Sequence, residues 1–571
     1  MDSEAHGVFR QRLSVDFARP ALITPDGQQL VYGELLRRAD AIAEQIGSRR
    51  TLVFLEASNS IDAICSYVGC LLGGHPVYLF ADQDGDVPRH LIERYRPGAV
   101  LRPTRPEPLA LLHHDLPCEL HPDLALLLST SGSTGSPKLV KLSFANITSN
   151  ATAIAQYLEI MPDDRAMTSL PFAYSYGMSV INSHLMAGAA VLLNDAPISD
   201  PAFFDTFRQN EATSFAGVPY SFDVLSIADP SWAEIPSLRY VTQAGGRLDP
   251  QKVRHFVQLG AQHGWNFHVM YGQTECAPRI AHLPPELAEH YPDCIGIPVP
   301  GGAITLIDSD GGVIGEAGRP GELVYSGPNV MMGYAESADD LASGRAPAPH
   351  HTGDLACRNE IGLYRIVGRL SRLVKPYGIR VNLDELQAVL RETFPGVVCT
   401  GSDARIVVVR PDRDPGDDAA IAAFLASRLK LPEAMFQVVR APKIPLRANG
   451  KIDFGAIEAL AAARLAKEEA ERPGAVRTIL SARFAKQIAI EAGQILGIIK
   501  PQWRGVRHIY GTILNLPAVD GNDTFVSLAG DSLSYVQTSV ALTQYLGHLP
   551  LGWENAPVDV LEQESPVAQA F

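Results

Sequence analysis

The sequence predicts a multidomain α/β protein with at least one largely parallel sheet, and three observations carry that prediction. Its 571 residues, at about 150 per domain, suggest roughly three or four domains. Short apolar runs alternate with segments of helix length, the pattern of strands joined by crossover helices. The hydrophobic fraction of 46%, with 48 Gly and 42 Pro, is that of an ordinary globular chain able to bury a large core. From Tyr32 to Ile46 the residues Leu35, Leu36, Ala39, Ile42, Ala43 and Ile46 recur at helical spacing, and strand-like Thr51–Leu55 follows. Ile61 to Phe80 carries Asp62, His75 and Pro76 and reads as a buried helix running into a strand, not a membrane span. Val191–Leu193, Tyr240–Thr242 and Phe267–Tyr271 are further strands of the same kind. Between Gly301 and Tyr334 the texture changes to β-like pieces such as Ala303–Ile307 and Gly321–Tyr325, which predicts a small β-rich subdomain. After Arg369 a compact α/β segment is expected to end near Ala461, then a linker at the charged run Lys467–Gly474, then a mostly helical stretch to Phe571.

Charge narrows the partners. Lys plus Arg is 48 against 63 for Asp plus Glu, a net charge of −15, so nucleic acid and anionic membrane surfaces are poor partners, while a few local cations can still hold a small anion. Cys65, Cys70, Cys118, Cys276, Cys294, Cys357 and Cys399 include no C-x-x-C pair, which supports neither a disulfide framework nor a zinc ribbon. A reducing, cytoplasmic setting is expected. Met1-Asp2-Ser3-Glu4 lacks the basic start and apolar run of a secretory signal.

The strongest local signal runs from Leu126 to Lys138, an apolar strand followed by a loop of Thr130, Ser131, Gly132, Ser133, Thr134, Gly135, Ser136 and Pro137. The glycines let backbone N–H groups turn inward, the hydroxyls donate, and Lys138 adds a positive charge, which together make a phosphate cradle. A Walker A loop is excluded, because Pro137 precedes the lysine and no Ser or Thr follows it. An ordinary mobile Ser/Gly loop is the plain alternative.

Other segments agree with the cradle. The loop, then Tyr271-Gly272-Gln273-Thr274-Glu275, His351-Thr352-Gly353-Asp354, Gly368-Arg369 with Lys375 and Gly378-Ile379-Arg380, and Asn449-Gly450-Lys451-Ile452-Asp453 resemble, in order, the motifs of the adenylate-forming ligase superfamily. That superfamily includes acyl-CoA synthetases and the adenylation domains of nonribosomal peptide synthetases. The resemblance covers about residues 15 to 465. It implies a large N-terminal adenylation core of layered α/β sheets over 1–369, a mobile α+β subdomain over 370–465 and a linker or helical extension over 466–494.

It also implies roles. ATP would be held by Thr130–Gly135, Lys138, Gly245, Tyr271, Gly272, Gln273, Thr274, Asp354, Arg369 and Lys451. Glu275 would ligate Mg²⁺, whose hard charge suits oxygen ligands and phosphates. Tyr271 would stack on adenine or end a core strand, Asp354 would accept from both ribose hydroxyls, and Arg369 would support ribose or phosphate or form a surface ion pair. Lys451 would bridge carboxylate and α-phosphate, a point charge where negative charge concentrates. Lys451, Lys138, Thr274 and Glu275 are therefore the expected catalytic set. The family usually has an acid at the hinge between the two parts, where this chain has Ser371 and Arg372.

Asp523 to Ser534, with Gly530-Asp531-Ser532-Leu533 at its centre, resembles the attachment site of acyl and peptidyl carrier proteins. Ser532 would open a helix and receive 4′-phosphopantetheine within a four-helix-type carrier domain over 495–571; a plain helix-capping serine is the alternative. Leu170 to Gly177 resembles the segment lining the acid pocket, with Tyr174, Tyr176 and Gly177 and, from a later turn, Gln243, Ala244, Gly245 and Gly246. Amino-acid-activating relatives place an aspartate in this region, and none occurs from Leu170 to Val191. An unpaired buried ammonium would cost several kcal/mol, so an acid without a free α-amino group is expected. The resemblance thus implies a ligase that forms acyl-AMP and loads its own carrier domain, served by a phosphopantetheinyl transferase and unloaded by a downstream acyl- or condensation-type enzyme. The alternatives are a ligase acting on free CoA or a separate carrier, with a vestigial carrier domain, and a catalytically silent nucleotide-binding scaffold.

Overall fold

The computed structural model describes residues 9–564 except 15, 82–88, 113–118, 130–137, 229, 345–348, 375, 377–380, 403–404, 413–417, 430–434, 447–451, 472–503, 515, 517, 529–537, 540, 543–544, 547 and 551. The chain divides into two compact units, Met1–Leu370 and Ser371–Phe571.

The first unit is built on three sheets. In a nine-stranded sheet, Asn266–Gly272, Tyr240–Gln243, Ser214–Gly217, Arg165–Met167, Ala190–Leu192 and Pro20–Ile23 run parallel in that spatial order. Antiparallel strands close both edges, Arg279–Leu283 and Ile297–Pro298 on one side and Gln29–Val31 on the other. The central strands read as continuous apolar runs because both faces are covered. In a seven-stranded sheet, Leu124–Ser129 and Leu139–Ser143 form the hairpin whose connection is the glycine- and hydroxyl-rich loop. Helices Tyr32–Ile46 and Ile61–Leu72 put Leu35, Leu36, Ala39, Ile64, Val68 and Leu71 into one core. The second helix starts at Ser60, whose side chain accepts from the Ala63 amide, a cap worth about 1 kcal/mol.

The β-rich subdomain is a four-stranded antiparallel sheet of Ala303–Ile307, Gly321–Ser326, His350–Arg358 and Tyr364–Arg369. Its expected end at Tyr334 is corrected, because Gly333–Ala335 pairs with Leu139–Lys141 and so belongs to the seven-stranded sheet. Three residues are too few to reveal from sequence which sheet edge they complete.

In the second unit, Val398–Ser402, Arg405–Pro411 and Phe436–Ala441 make a three-stranded sheet. Alternation sorts its strands between two cores. Ile406 and Val408 pack with helices Leu383–Thr393 and Asp418–Leu429, whereas Val407 and Val409 pack with Ile457 and Ala461. Helix Phe454–Glu471 runs through Lys467, Glu468 and Glu469, so the charged run expected as a linker is helical there. Its Ala, Glu and Lys are strong helix formers, and charge alone does not break a helix. Arg372 is bound into this unit: its guanidinium bonds Asp384 and the Cys399 carbonyl, the latter at 2.9 Å, and lies 3.9 Å from the Phe454 ring centre. Further along, Val506, Tyr510, Phe525, Leu542, Trp553 and Leu561 form a separate small core around helices Val506–Ile513 and Val558–Gln563. Among the described residues no helix is long and apolar enough to cross a membrane.

Candidate active site

Strand Asn266–Gly272 delivers Tyr271 and Gly272 to the sheet edge, and the chain returns along Arg279–Leu283. A Cβ on Gly272 would lie 1.8 Å from the Pro278 carbonyl oxygen, so only glycine allows the two strands to approach there. In the β-rich subdomain, Asp354 and Arg369 are cross-strand partners. These two pieces meet at one carboxylate. Asp354 accepts from Arg369 Nε at 2.8 Å, from Gln273 Nε2 at 3.0 Å and from the Tyr271 hydroxyl. Gln273 also donates to the Thr352 carbonyl at 2.9 Å, and its Oε1 lies 3.0 Å from His350 Nε2. Burial first, and Asp354 second, hold the Tyr271 phenol protonated by raising its pKa well above the usual range. The Asp354 side chain is 3% exposed and that of Arg369 61%, so the carboxylate is fixed while its partner faces solvent.

Thr274–Cys276 forms a short 3-10 turn that carries Glu275. Glu275 Oε1 accepts from the Tyr334 hydroxyl at 2.8 Å, and its carbonyl accepts from the Met331 amide at 2.8 Å. Lys138 lies 5.7 Å from the same Tyr334 ring centre and 3.5 Å from Glu336. The pairing of Gly333–Ala335 with Leu139–Lys141 brings these side chains together. Among the described residues no group of three or more His, Cys, Asp and Glu could cage a metal. A lone Glu275 fits Mg²⁺, which is commonly held by one or two carboxylates while phosphates and water fill its shell.

The helix that follows Ser175 helps to line a cavity. The Thr274 hydroxyl is 3.3 Å from Ser175 Oγ at the start of helix Ser175–Met186, which Tyr174 precedes. The small cavity is lined by Tyr176, Ser179, Ala216, Thr242, Met270 and Arg279, among others. Tyr176 donates to Thr242 Oγ1 at 2.8 Å. At the far wall Nδ1 of His184 lies 2.8 Å from the Val180 carbonyl and Nε2 lies 2.8 Å from the Tyr240 hydroxyl. Burial pulls this histidine's pKa down to about 4, so it is neutral at pH 7, donating from Nδ1 and accepting at Nε2. Gly245 has φ +84°, and a Cβ there would lie 2.8 Å from the Tyr174 hydroxyl. Gln243 is buried and donates to the Gly246 carbonyl at 2.8 Å, so its amide holds the turn. Ala244 packs with Tyr174 and Tyr176, and Gly177 lies against the Pro171 carbonyl.

The structure therefore brings together Lys138, Tyr271, Gly272, Gln273, Glu275, Asp354 and Arg369 on one side and Tyr174, Tyr176, Thr274, Ala244 and Gly245 on the other. Thr130, Ser131, Gly132, Ser133, Thr134, Gly135, Lys451 and Ser532 lie outside the described residues. Arg279, Tyr334 and His350 were not singled out from the sequence. Arg279 had a signal, a charge opening the strand Arg279–Leu283 soon after Glu275; Tyr334 had none, because its neighbours come from a distant strand.

The chain is similar to known proteins in sequence and fold. Residues 104–335 match the family of AMP-binding enzymes. The chain is 29% identical over 504 residues to an L-proline–[L-prolyl-carrier protein] ligase of Streptomyces coelicolor, covering 76% of this chain and 93% of the relative. It is 24% identical over 597 residues to a linear gramicidin synthase from Brevibacillus parabrevis, covering 94% of this chain and 11% of that protein. Among solved structures it shares the fold of O-succinylbenzoate coenzyme A synthetase from Bacillus subtilis in complex with AMP, with TM-score 0.63 and 22% identity over 78% of this chain and 96% of the other. The match over residues 104–335, the relatives named as ligases and the shared fold agree in likening this chain to AMP-binding enzymes.

Proposed function

We propose that this enzyme activates a small carboxylic acid with ATP and passes the acyl group to a thiol on its own C-terminal domain. The observation that carries the reading is the junction at Thr274–Glu275: the Tyr271, Gln273, Asp354 and Arg369 network lies on one side and the Tyr176-lined cavity on the other. In this reading the acid occupies that cavity with its carboxylate turned toward Thr274, and Asp354 holds the nucleotide.

In the first step a carboxylate oxygen attacks the α-phosphorus, the bond from that phosphorus to the bridging oxygen breaks, and pyrophosphate leaves. Asp354 accepts ribose hydroxyls, Tyr271 flanks the base, Lys138 and the 130–135 loop hold the outgoing phosphates, and Lys451 offsets the charge on five-coordinate phosphorus. Glu275 would hold Mg²⁺, which would supply charge to the phosphate oxygens. In the second step a thiolate attacks the acyl carbon, and AMP leaves with the former carboxylate oxygen. Ser532 would carry the phosphopantetheine that supplies that thiol. The described residues around Ser532 support a carrier domain, because they form a helical core of their own. The alignment of linear gramicidin synthase over 94% of this chain also supports it. By its name the Streptomyces relative acts on an amino acid, yet among the described residues no Asp or Glu lines the cavity here, which favours an acid without an ammonium.

Acid-dependent exchange of labelled pyrophosphate into ATP tests the first step. Exchange with at least one acid in a panel of aliphatic, aryl and amino acids is expected, and silence across the panel would favour the scaffold alternative. Intact-mass analysis after treatment with a phosphopantetheinyl transferase tests the second. A mass gain abolished in Ser532→Ala is expected; no gain would favour free CoA or a separate carrier.

A further inference from the structure

The cavity holds a cation that no described acid neutralises. Arg279 is 2% exposed and lines the cavity. Its Nε donates to the Tyr157 hydroxyl at 3.2 Å and its Nη2 to Ser179 Oγ at 3.2 Å. Both hydroxyls spend their own protons elsewhere, Ser179 on the Tyr176 carbonyl at 2.7 Å and Tyr157 on the Met270 sulfur at 2.9 Å. The guanidinium carbon lies 4.7 Å from the Tyr176 ring centre. All of these partners are neutral. A guanidinium has five N–H donors in a fixed fork, and these bonds use the Nε and one Nη2 donor. Among the described residues no carboxylate pairs with Arg279. The contrast with the other two arginines buried among the described residues is direct: Arg372 holds Asp384 and Arg410 holds Asp418.

Nothing else in the cavity can supply the missing charge. His184 is neutral, and burial keeps the phenols of Tyr157, Tyr174, Tyr176 and Tyr240 protonated. A buried ion without a partner is costly, and a ring face returns only part of that cost. A positive fork in an otherwise neutral cavity, lined by the helix whose Ser175 touches Thr274, matches a planar, two-oxygen anion carried by the ligand.

We propose that Arg279 receives a second carboxylate, so that the acid activated by this enzyme is a dicarboxylic acid, one end adenylated beside Thr274 and the other held by the guanidinium. This deepens the adenylation reading and rests on it.

The test compares succinate, glutarate, adipate and benzene-1,4-dicarboxylate, each against its monoamide, in the pyrophosphate exchange assay with the full-length enzyme. The monoamide keeps the size and removes one charge. At least one diacid is expected to exceed its monoamide by roughly 100-fold or more in kcat/KM, since the amide leaves the guanidinium unpaired. Arg279→Met is expected to collapse that ratio to about one or below, chiefly through KM, and Arg279→Lys to restore part of it as a point charge. Melting of Arg279→Met at or above the wild-type temperature is expected, because an uncompensated charge has been removed from the interior. Exchange with monoacids or amino acids but with none of the diacids would overturn the inference alone. So would a diacid preference that Arg279→Met leaves intact, or equal loss on both members of a pair together with lowered melting. Silence with every acid would bring down the adenylation reading and this inference with it.

Discussion

The two sides of the Thr274–Glu275 turn treat charge in opposite ways. On the nucleotide side, Asp354 is satisfied before any ligand arrives, by Arg369, Gln273 and Tyr271. On the acid side, Arg279 is buried among hydroxyls and rings with no described counter-charge. A saturated carboxylate is a rigid fixture whose lone pairs ligand hydroxyls can share, so it sets position. An unsatisfied cation is a selectivity device, because its cost is relieved only by the right anion. In the proposed reaction the charge that acts at phosphorus is assigned to Lys451.

The largest expected effect follows from that last point. Lys451→Ala should slow acid-dependent exchange by roughly 10²- to 10³-fold while leaving the melting of the first unit unchanged, as read by initial rates and calorimetry. Undiminished exchange would remove Lys451 from the chemistry and return the task to the walls.

Next is the saturated side itself. Asp354→Ala should raise the KM for ATP by roughly 10- to 100-fold, the value of one or two charge-assisted hydrogen bonds. Its stability cost should be only about 1–3 kcal/mol, because Arg369 can turn to solvent. An unchanged KM would show that the network is structural alone.

A pH series separates the two sides further. His184, at the cavity wall, has a folded pKa of about 4 against roughly 6.5 in an unfolded chain. Above pH 6.5 both states are neutral and no penalty arises. Between about 6.5 and 4 the unfolded chain takes up a proton that the folded one refuses, so stability falls with pH by as much as roughly 3 kcal/mol. Thermal melts should show this acid-side loss, and His184→Gln should remove its share. A flat profile over that window would mean that the histidine is solvated.

The smallest effect concerns the turn beside Tyr174. Gly245→Ala, at φ +84° and 2.8 Å from the Tyr174 hydroxyl, should cost about 1–2 kcal/mol of stability and raise the KM for the acid more than that for ATP. Equal changes in the two constants would disconnect this turn from the cavity.

The sequence made one side of the site far more legible than the other. Helix Tyr32–Ile46 and the strands at Tyr240 and Asn266 were readable because periodicity and apolar runs are local. Tyr271, Glu275, Asp354 and Arg369 stood out because a fixed order of short motifs carries them. Arg279 was passed over although it follows Glu275 closely, because the lack of a counter-charge is a property of neighbours from Tyr157, Ser179 and Tyr176. The pairing of Gly333–Ala335 with the seven-stranded sheet was hidden for the same reason, as was its consequence that Tyr334 touches Glu275. The helix reaching Glu471 settles, as far as that residue, the choice between linker and helical extension that charge alone left open.

The central claim is that a carboxylate oxygen bonds to the α-phosphorus of ATP. It is tested most directly by supplying the acid with both carboxylate oxygens labelled with oxygen-18, trapping the activated acyl group with hydroxylamine and weighing the AMP released. Adenylation predicts one heavy oxygen in each AMP and one in each hydroxamate. AMP without label, or label found in inorganic phosphate, would contradict it.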